Sequence, residues 1–122
     1  MKKQFTLCLL VWTLFVFVAS LIPGNDLPKV GWLHRLHFDK FVHACFYFIM
    51  CMLMYYSLVK EWKLLLTQFK ALIASSFTAV GIGFVIEILQ SNLISGRYFD
   101  IFDVLANTIG VVIAVLIINL KN

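Results

Sequence analysis

Charge is what this sequence has least of. Only 13% of its 122 residues are Asp, Glu, Lys or Arg, and only six are acids. An ordinary soluble domain carries about 25% charged residues, so this chain lacks the means to build a water-facing surface. Proline is almost as scarce. Pro23 and Pro28 are the only two and fall in one short stretch, leaving the long apolar runs without a proline break. The strand-length alternation of a membrane barrel is missing. Cys8, Cys45 and Cys51 all lie in apolar runs with no C-x-x-C spacing, so they read as thiols packing like small hydrophobes. The net charge of +4 is no nucleic-acid signature. Its cations flank apolar runs, as in membrane proteins, and form no basic patch with interleaved aromatics.

What is abundant is apolar sequence: 62% of the residues are hydrophobic, and the mean hydropathy is +0.96. Four stretches approach the length a helix needs to cross a bilayer. The expectation is an all-α integral membrane protein, a four-helix transmembrane bundle in a single domain over residues 1–122. The spans fall at about 5–22, 39–59, 71–89 and 100–120. The first has the basic start and the Val18-Ala19-Ser20 end of a signal peptide. Its apolar part, however, exceeds the usual core of about 7–15 residues, so a retained span is expected. Thr6, Thr13 and Ser20 recur every seven residues and suit close helix contact. Gly31–Phe38 has the look of a short interfacial helix with Trp32 at headgroup depth. Lys60–Lys63 makes a turn, and Leu64–Lys70 could belong to either neighbouring span or to the surface.

Lysine and arginine set the orientation. Lys2, Lys3, Lys60, Lys63, Lys70 and Lys121 fall on one side, and Lys29, Arg35, Lys40 and Arg97 on the other. The richer side should be cytoplasmic, with both termini. Acids sharpen the contrast: Glu61 alone is inner, while Asp26, Asp39, Glu87, Asp100 and Asp103 are outer.

The polar residues inside the spans are not scattered. Asp39, His43 and Tyr47 recur at intervals of four, which keeps them on one helix face with a drift of about 40° per step. Ser76, Gly83, Glu87 and Gln90 share a face of the third span. Asp100, Asp103, Asn107, Gly110 and Ala114 share one of the fourth. The proposed topology brings all three faces to the same outer depth. An ionisable residue near the bilayer centre costs about 2.5–3.5 kcal/mol on insertion scales, so such convergence marks a candidate site. Asp100 is also placed to cap the fourth helix. Gly83, Gly110 and Ala114 read as close-packing positions.

Three blocks carry a family resemblance: D-K-x-x-H-A-x-x-Y at Asp39–Tyr47, I-E-I-L-Q at Ile86–Gln90, and G-R-Y-F-D-I-F-D-V-L-A-N-T-I-G at Gly96–Gly110. In this order they resemble the VanZ-like family of small bacterial membrane proteins, over a motif core of about residues 30–116. The family is named for a protein linked to teicoplanin resistance, and the resemblance supplies no catalytic mechanism. It implies a multi-pass protein of the bacterial plasma membrane and cell envelope. The matching positions are Asp39, Lys40, His43, Tyr47, Glu87, Gln90, Arg97, Asp100, Asp103 and Asn107.

These ten residues form the expected ligand-binding cluster. The favoured reading is non-enzymatic: an outward-facing site for a lipid headgroup, a cell-wall precursor or a lipoglycopeptide-type antibiotic, with Lys40 and Arg97 meeting anionic groups. Membrane lipids are the expected partners, with oligomers left open and no nucleic acid. No cofactor is expected and no metal, since H-E-x-x-H is missing even though His34, His37 and His43 are present. One alternative is an enzyme acting on a lipid-linked phosphate, with His43 as general base. There Ser91 and Ser95 lie at the right level but without an elbow motif. The other is a polar core that only ties helices together.

Overall fold

The computed structural model describes residues 3–21, 38–62, 67–94 and 99–121, apart from the side chains of Phe38 and Asp39. All secondary structure among them is helical: α1 (Gln4–Ser20), α2 (Phe38–Tyr56) running into a π-helical stretch at Ser57–Trp62, α3 (Gln68–Leu93) and α4 (Ile101–Lys121). Three segments, Lys40–Trp62, Gln68–Leu93 and Ile101–Lys121, are long and apolar enough to cross a membrane. At 1.5 Å per residue α3 is about 39 Å long and α4 about 32 Å, against a hydrocarbon core of about 30 Å. α1, with 17 residues, reaches about 26 Å. It ends earlier than the sequence suggests, with Leu21 as its C-cap at φ −90° and ψ 0°, the amide shared between the carbonyls of Phe17 and Val18.

The boundaries follow local chemistry. The Thr67 hydroxyl accepts the Lys70 amide at 3.2 Å and so starts α3. That decides the open Leu64–Lys70 stretch in part: Gln68 to Lys70 belong to α3, and 63–66 lie outside the described residues. Lys60–Trp62 do not turn the chain, since the helix continues through them in π geometry. Asp100 caps α4 as expected, its Oδ1 accepting the Phe102 amide at 2.9 Å.

Contacts fix the directions. Lys40 meets Asp103, His43 meets Asn107, and Tyr55 packs with Ile118, so α2 and α4 run parallel. They also form the most extensive helix pair. α1 and α3 run the other way. Thr6 of α1 lies at Glu61, and Ser20 lies at Gln90 of α3. The start of α1 and the end of α4 therefore share one end of the bundle, opposite Lys40 and Glu87. Val16, Tyr47, Met50, Cys51, Ala79 and Ala114 fill the centre, and the Trp12 indole donates to the Phe46 carbonyl at 2.9 Å. Leu10, Leu14, Phe77, Leu105, Ile109 and Leu116 point outward, an apolar exterior that suits lipid and not water. Of the cysteines, Cys51 is buried as expected but Cys8 is exposed, on the outer side of α1.

Glycine sets the spacing of the central pair. A Cβ built on Gly110 would meet the carbonyl oxygen of Ala44 and lie 2.9–3.0 Å from its carbonyl carbon and Cα. That obstacle is backbone, which cannot rotate away. Gly81 on α3 has nothing within 4 Å of the same position. Gly110→Ala should therefore lower the thermal midpoint in detergent micelles, at a cost of at least about 1–3 kcal/mol from overpacking. Gly81→Ala should leave the midpoint unchanged or raise it, by about 0.5–1 kcal/mol of helix propensity.

Candidate functional site

Four helices bring polar groups to one end of the bundle. From α2, the Lys40 ammonium donates to Asp100 at 2.7 Å and to Asp103 at 2.5 Å. One turn deeper, His43 Nδ1 lies 3.1 Å from Asn107 Oδ1, while Nε2 faces Asp103 at 3.9 Å. From α3, Glu87 Oε1 accepts the Asp100 backbone amide at 3.0 Å. Gln90 donates through Nε2 to the Ser20 carbonyl of α1. A single Glu87-to-Asp100 contact thus joins the end of α3 to the start of α4. Gln90 does the same for α1 and α3.

Burial grades along the site. The Asp100 side chain is 39% exposed and Lys40 24%, whereas Asp103 is 9% exposed. Glu87, Gln90 and Asn107 are each at 2%. The cluster is an entrance of exposed charge leading to a closed polar floor. The floor owes its tightness to Gly83. A Cβ there would lie 2.8 Å from Asn107 Nδ2 and 3.1–3.2 Å from Cε1 and Cζ of Tyr47. Tyr47 is buried, and among the described residues its hydroxyl makes no hydrogen bond.

Of the ten residues singled out in the sequence, eight converge here: Lys40, His43, Tyr47, Glu87, Gln90, Asp100, Asp103 and Asn107. Asp39 has its backbone in α2, with its side chain outside the described residues. Arg97 lies outside them altogether, as do Trp32, His34, His37 and Ser95. The Lys40 ammonium, expected to meet anionic groups, is engaged within the chain by the carboxylates of Asp100 and Asp103. The Ser91 hydroxyl donates to the Ile88 carbonyl of its own helix at 2.8 Å. Among the described residues no group of three or more His, Cys, Asp or Glu could hold a metal ion.

A second polar cluster escaped the sequence reading. At the opposite end, Glu61 accepts the amides of Phe5 and Thr6, and the Thr6 hydroxyl at 2.6 Å. Thr6 also lies 2.6 Å from the Ser57 hydroxyl and accepts the Trp62 indole N–H at 2.9 Å. The Lys3 ammonium stands 3.3 Å from the Trp62 ring centroid. α1 has no side-chain cap of its own, so Glu61 caps it from another helix. The one usable signal was that Glu61 is the lone acid at that end, with Thr6 on the small polar stripe. Glu61→Gln should speed hydrogen exchange at the Phe5 and Thr6 amides and leave exchange at the far end of α1 unchanged.

The Lys40–Asp100 pair gives the protein an acid-sensitive element. The Lys40 hydrogen bond, opposed by burial, holds the Asp100 carboxyl below its ordinary value of 3.8. A carboxyl depressed in the folded state adds stability that is fully present above its unfolded value. That stability is lost as pH falls through the folded one. Exposure of Asp100 keeps the effect small. Asp100→Asn should lower the thermal midpoint at neutral pH and flatten its fall below about pH 4.

The comparisons agree with the architecture. The family described as VanZ/LLP1 matches residues 5–122, nearly the full length and all four helices. No curated protein and no solved structure matches. The paired faces of α2 and α4, the Glu87–Gln90 end of α3 and the match over residues 5–122 identify one family: the chain belongs to VanZ/LLP1.

Proposed function

We propose that this is a binding protein of the bacterial plasma membrane whose polar cluster takes the headgroup of an amphiphile at the outer surface. All four helices cross the bilayer as one domain, with both termini cytoplasmic. The lysine-rich end, with Lys3, Lys60 and Lys121, then faces the cytoplasm. Candidate ligands are a lipid headgroup, a cell-wall precursor or a lipoglycopeptide-type antibiotic, and antibiotic resistance of the teicoplanin type is the corresponding phenotype.

The observation that carries this reading is the grading of the site, from partly exposed Lys40 and Asp100 down to Glu87 and Asn107 at 2%. Ordinary helix glue consists of isolated buried pairs contributing about 0.6–2 kcal/mol each. It needs no exposed charged entrance. A polar core that only ties helices is the competing reading, favoured by the mutual hydrogen bonds of Lys40, Asp100 and Asp103. An enzyme is less well served. His43 directs both ring nitrogens at other members of the cluster, and among the described residues the candidate Ser91 bonds to the Ile88 carbonyl instead.

Wild type and Glu87→Gln at matched membrane levels in a Gram-positive host separate the readings. The binding reading expects wild type to lower teicoplanin susceptibility and the folded variant to lose that effect. Equal protection by both would make Glu87 structural glue. Loss of folded variant from the membrane, with the wild-type effect intact, would favour the polar-core reading.

A further inference from the structure

Among the described residues the site is short of positive charge. Lys40 is the one lysine or arginine set against Glu87, Asp100 and Asp103, and it bonds to both aspartates. Uncompensated charge at membrane depth is costly, so the cluster calls for a further cation. Its spare valences point the same way. Glu87 uses Oε1 on the Asp100 amide, and among the described residues nothing donates to Oε2.

Tyr47 is a second and independent sign. It is 1% exposed. Its hydroxyl-bearing carbon lies against Gly83, one turn from Glu87 on α3. A buried hydroxyl without a partner is destabilising, and here it sits beside an acceptor-rich floor. A primary ammonium is a donor-only group with three hydrogens. It fits a site with a spare carboxylate oxygen, a spare phenol oxygen and excess negative charge.

A third feature concerns the rest of the ligand. α1 and α3 touch at their polar end and leave between them an open apolar groove of about 750 Å³. Leu10, Leu14 and Phe17 form one wall, and Gly81, Val85 and Leu89 the other. The groove reaches Ile86 and Leu89, which immediately precede Glu87 and Gln90 in the chain. Gly81 keeps it open, with nothing within 4 Å of where its Cβ would stand.

We infer that the ligand is a lipid with a primary ammonium headgroup, its amine held by Glu87, Asp103 and Tyr47 and its acyl chain laid in the α1–α3 groove. This rests on the binding reading above and names the ligand class within it. The charge of the site selects the amine over a phosphate diester, and the groove selects a lipid over a free amine.

The test uses the full chain in detergent micelles, offered equal amounts of phosphatidylethanolamine, phosphatidylcholine and phosphatidylglycerol with identical acyl chains. Retained lipid is read by native mass spectrometry. Phosphatidylethanolamine should be retained about tenfold over each of the others, the worth of one charge-assisted hydrogen bond. Tyr47→Phe removes a hydroxyl that bonds to nothing among the described residues, so the variant should fold as well as wild type and lose most of that preference. Glu87→Gln should lose it as well. Gly81→Leu should lower retention of all three lipids alike. Equal retention of phosphatidylcholine, a preference for phosphatidylglycerol, or a preference that survives both Tyr47→Phe and Glu87→Gln would overturn the ammonium assignment while leaving lipid binding in place. Retention of none of the three lipids would overturn both the assignment and the binding reading on which it rests.

Discussion

The close parallel approach of α2 and α4 is the constraint on which the rest of the structure depends. Gly110 brings the two backbones together at Ala44. At that separation short side chains can reach across: His43 to Asn107, and, a turn nearer the surface, Lys40 to Asp103. A wider spacing would strand Asn107 and Asp103 in the apolar interior, where each would need water or a proton. The polar site is thus a consequence of helix packing. The residue that sets it, Gly110, makes no polar contact itself.

α3 and α1 are then added with progressively less polar joinery. α3 docks through Gly83, which accommodates both Tyr47 and Asn107, and through Glu87 on the first amide before α4. α1 is pinned at its two ends, by Glu61 at its start and Gln90 at its finish, with the Trp12–Phe46 bond between them. Its outward face is apolar along its length. Among the described residues its one side-chain hydrogen bond to α3 is at Ser20 and Gln90, at the polar end, and an open groove lies along the rest of the pair.

Much of this was legible in the sequence because helical periodicity is a local property. Intervals of four placed Asp39, His43 and Tyr47 on one face, and the G-R-x-x-D-x-x-D-x-x-x-N block did the same for the start of α4. Charge bias gave a common depth, and from depth and face together the convergence followed. What periodicity could not show was pairing. Lys40 read as a cation for a ligand's anionic groups because nothing local marks its partners. Its two aspartates lie 60 and 63 residues away. Glu61 read as an inner-side charge for the same reason, since its partners on α1 are 55 and 56 residues distant. The groove was invisible because a void is a property of two surfaces, and the sequence specifies each only separately.

The two polar ends also differ in a way that bears on function. At the Glu61 end every carboxylate oxygen has a donor, and the acid is matched to helix amides whose dipole favours it. That end is closed in the chemical sense, a cap completed from another helix. At the Glu87 end, carboxylates outnumber cations, and a buried phenol and a carboxylate oxygen lack donors among the described residues. The same fold therefore holds one acid whose donors all come from the bundle and another that has an oxygen to spare among the described residues. Chemistry internal to the bundle was available to complete the second end: a lysine in place of Gln90 would have added a cation, and phenylalanine in place of Tyr47 would have removed the unpaired hydroxyl. The persistence of both features next to an open apolar groove is the physical reason a ligand is proposed at that end.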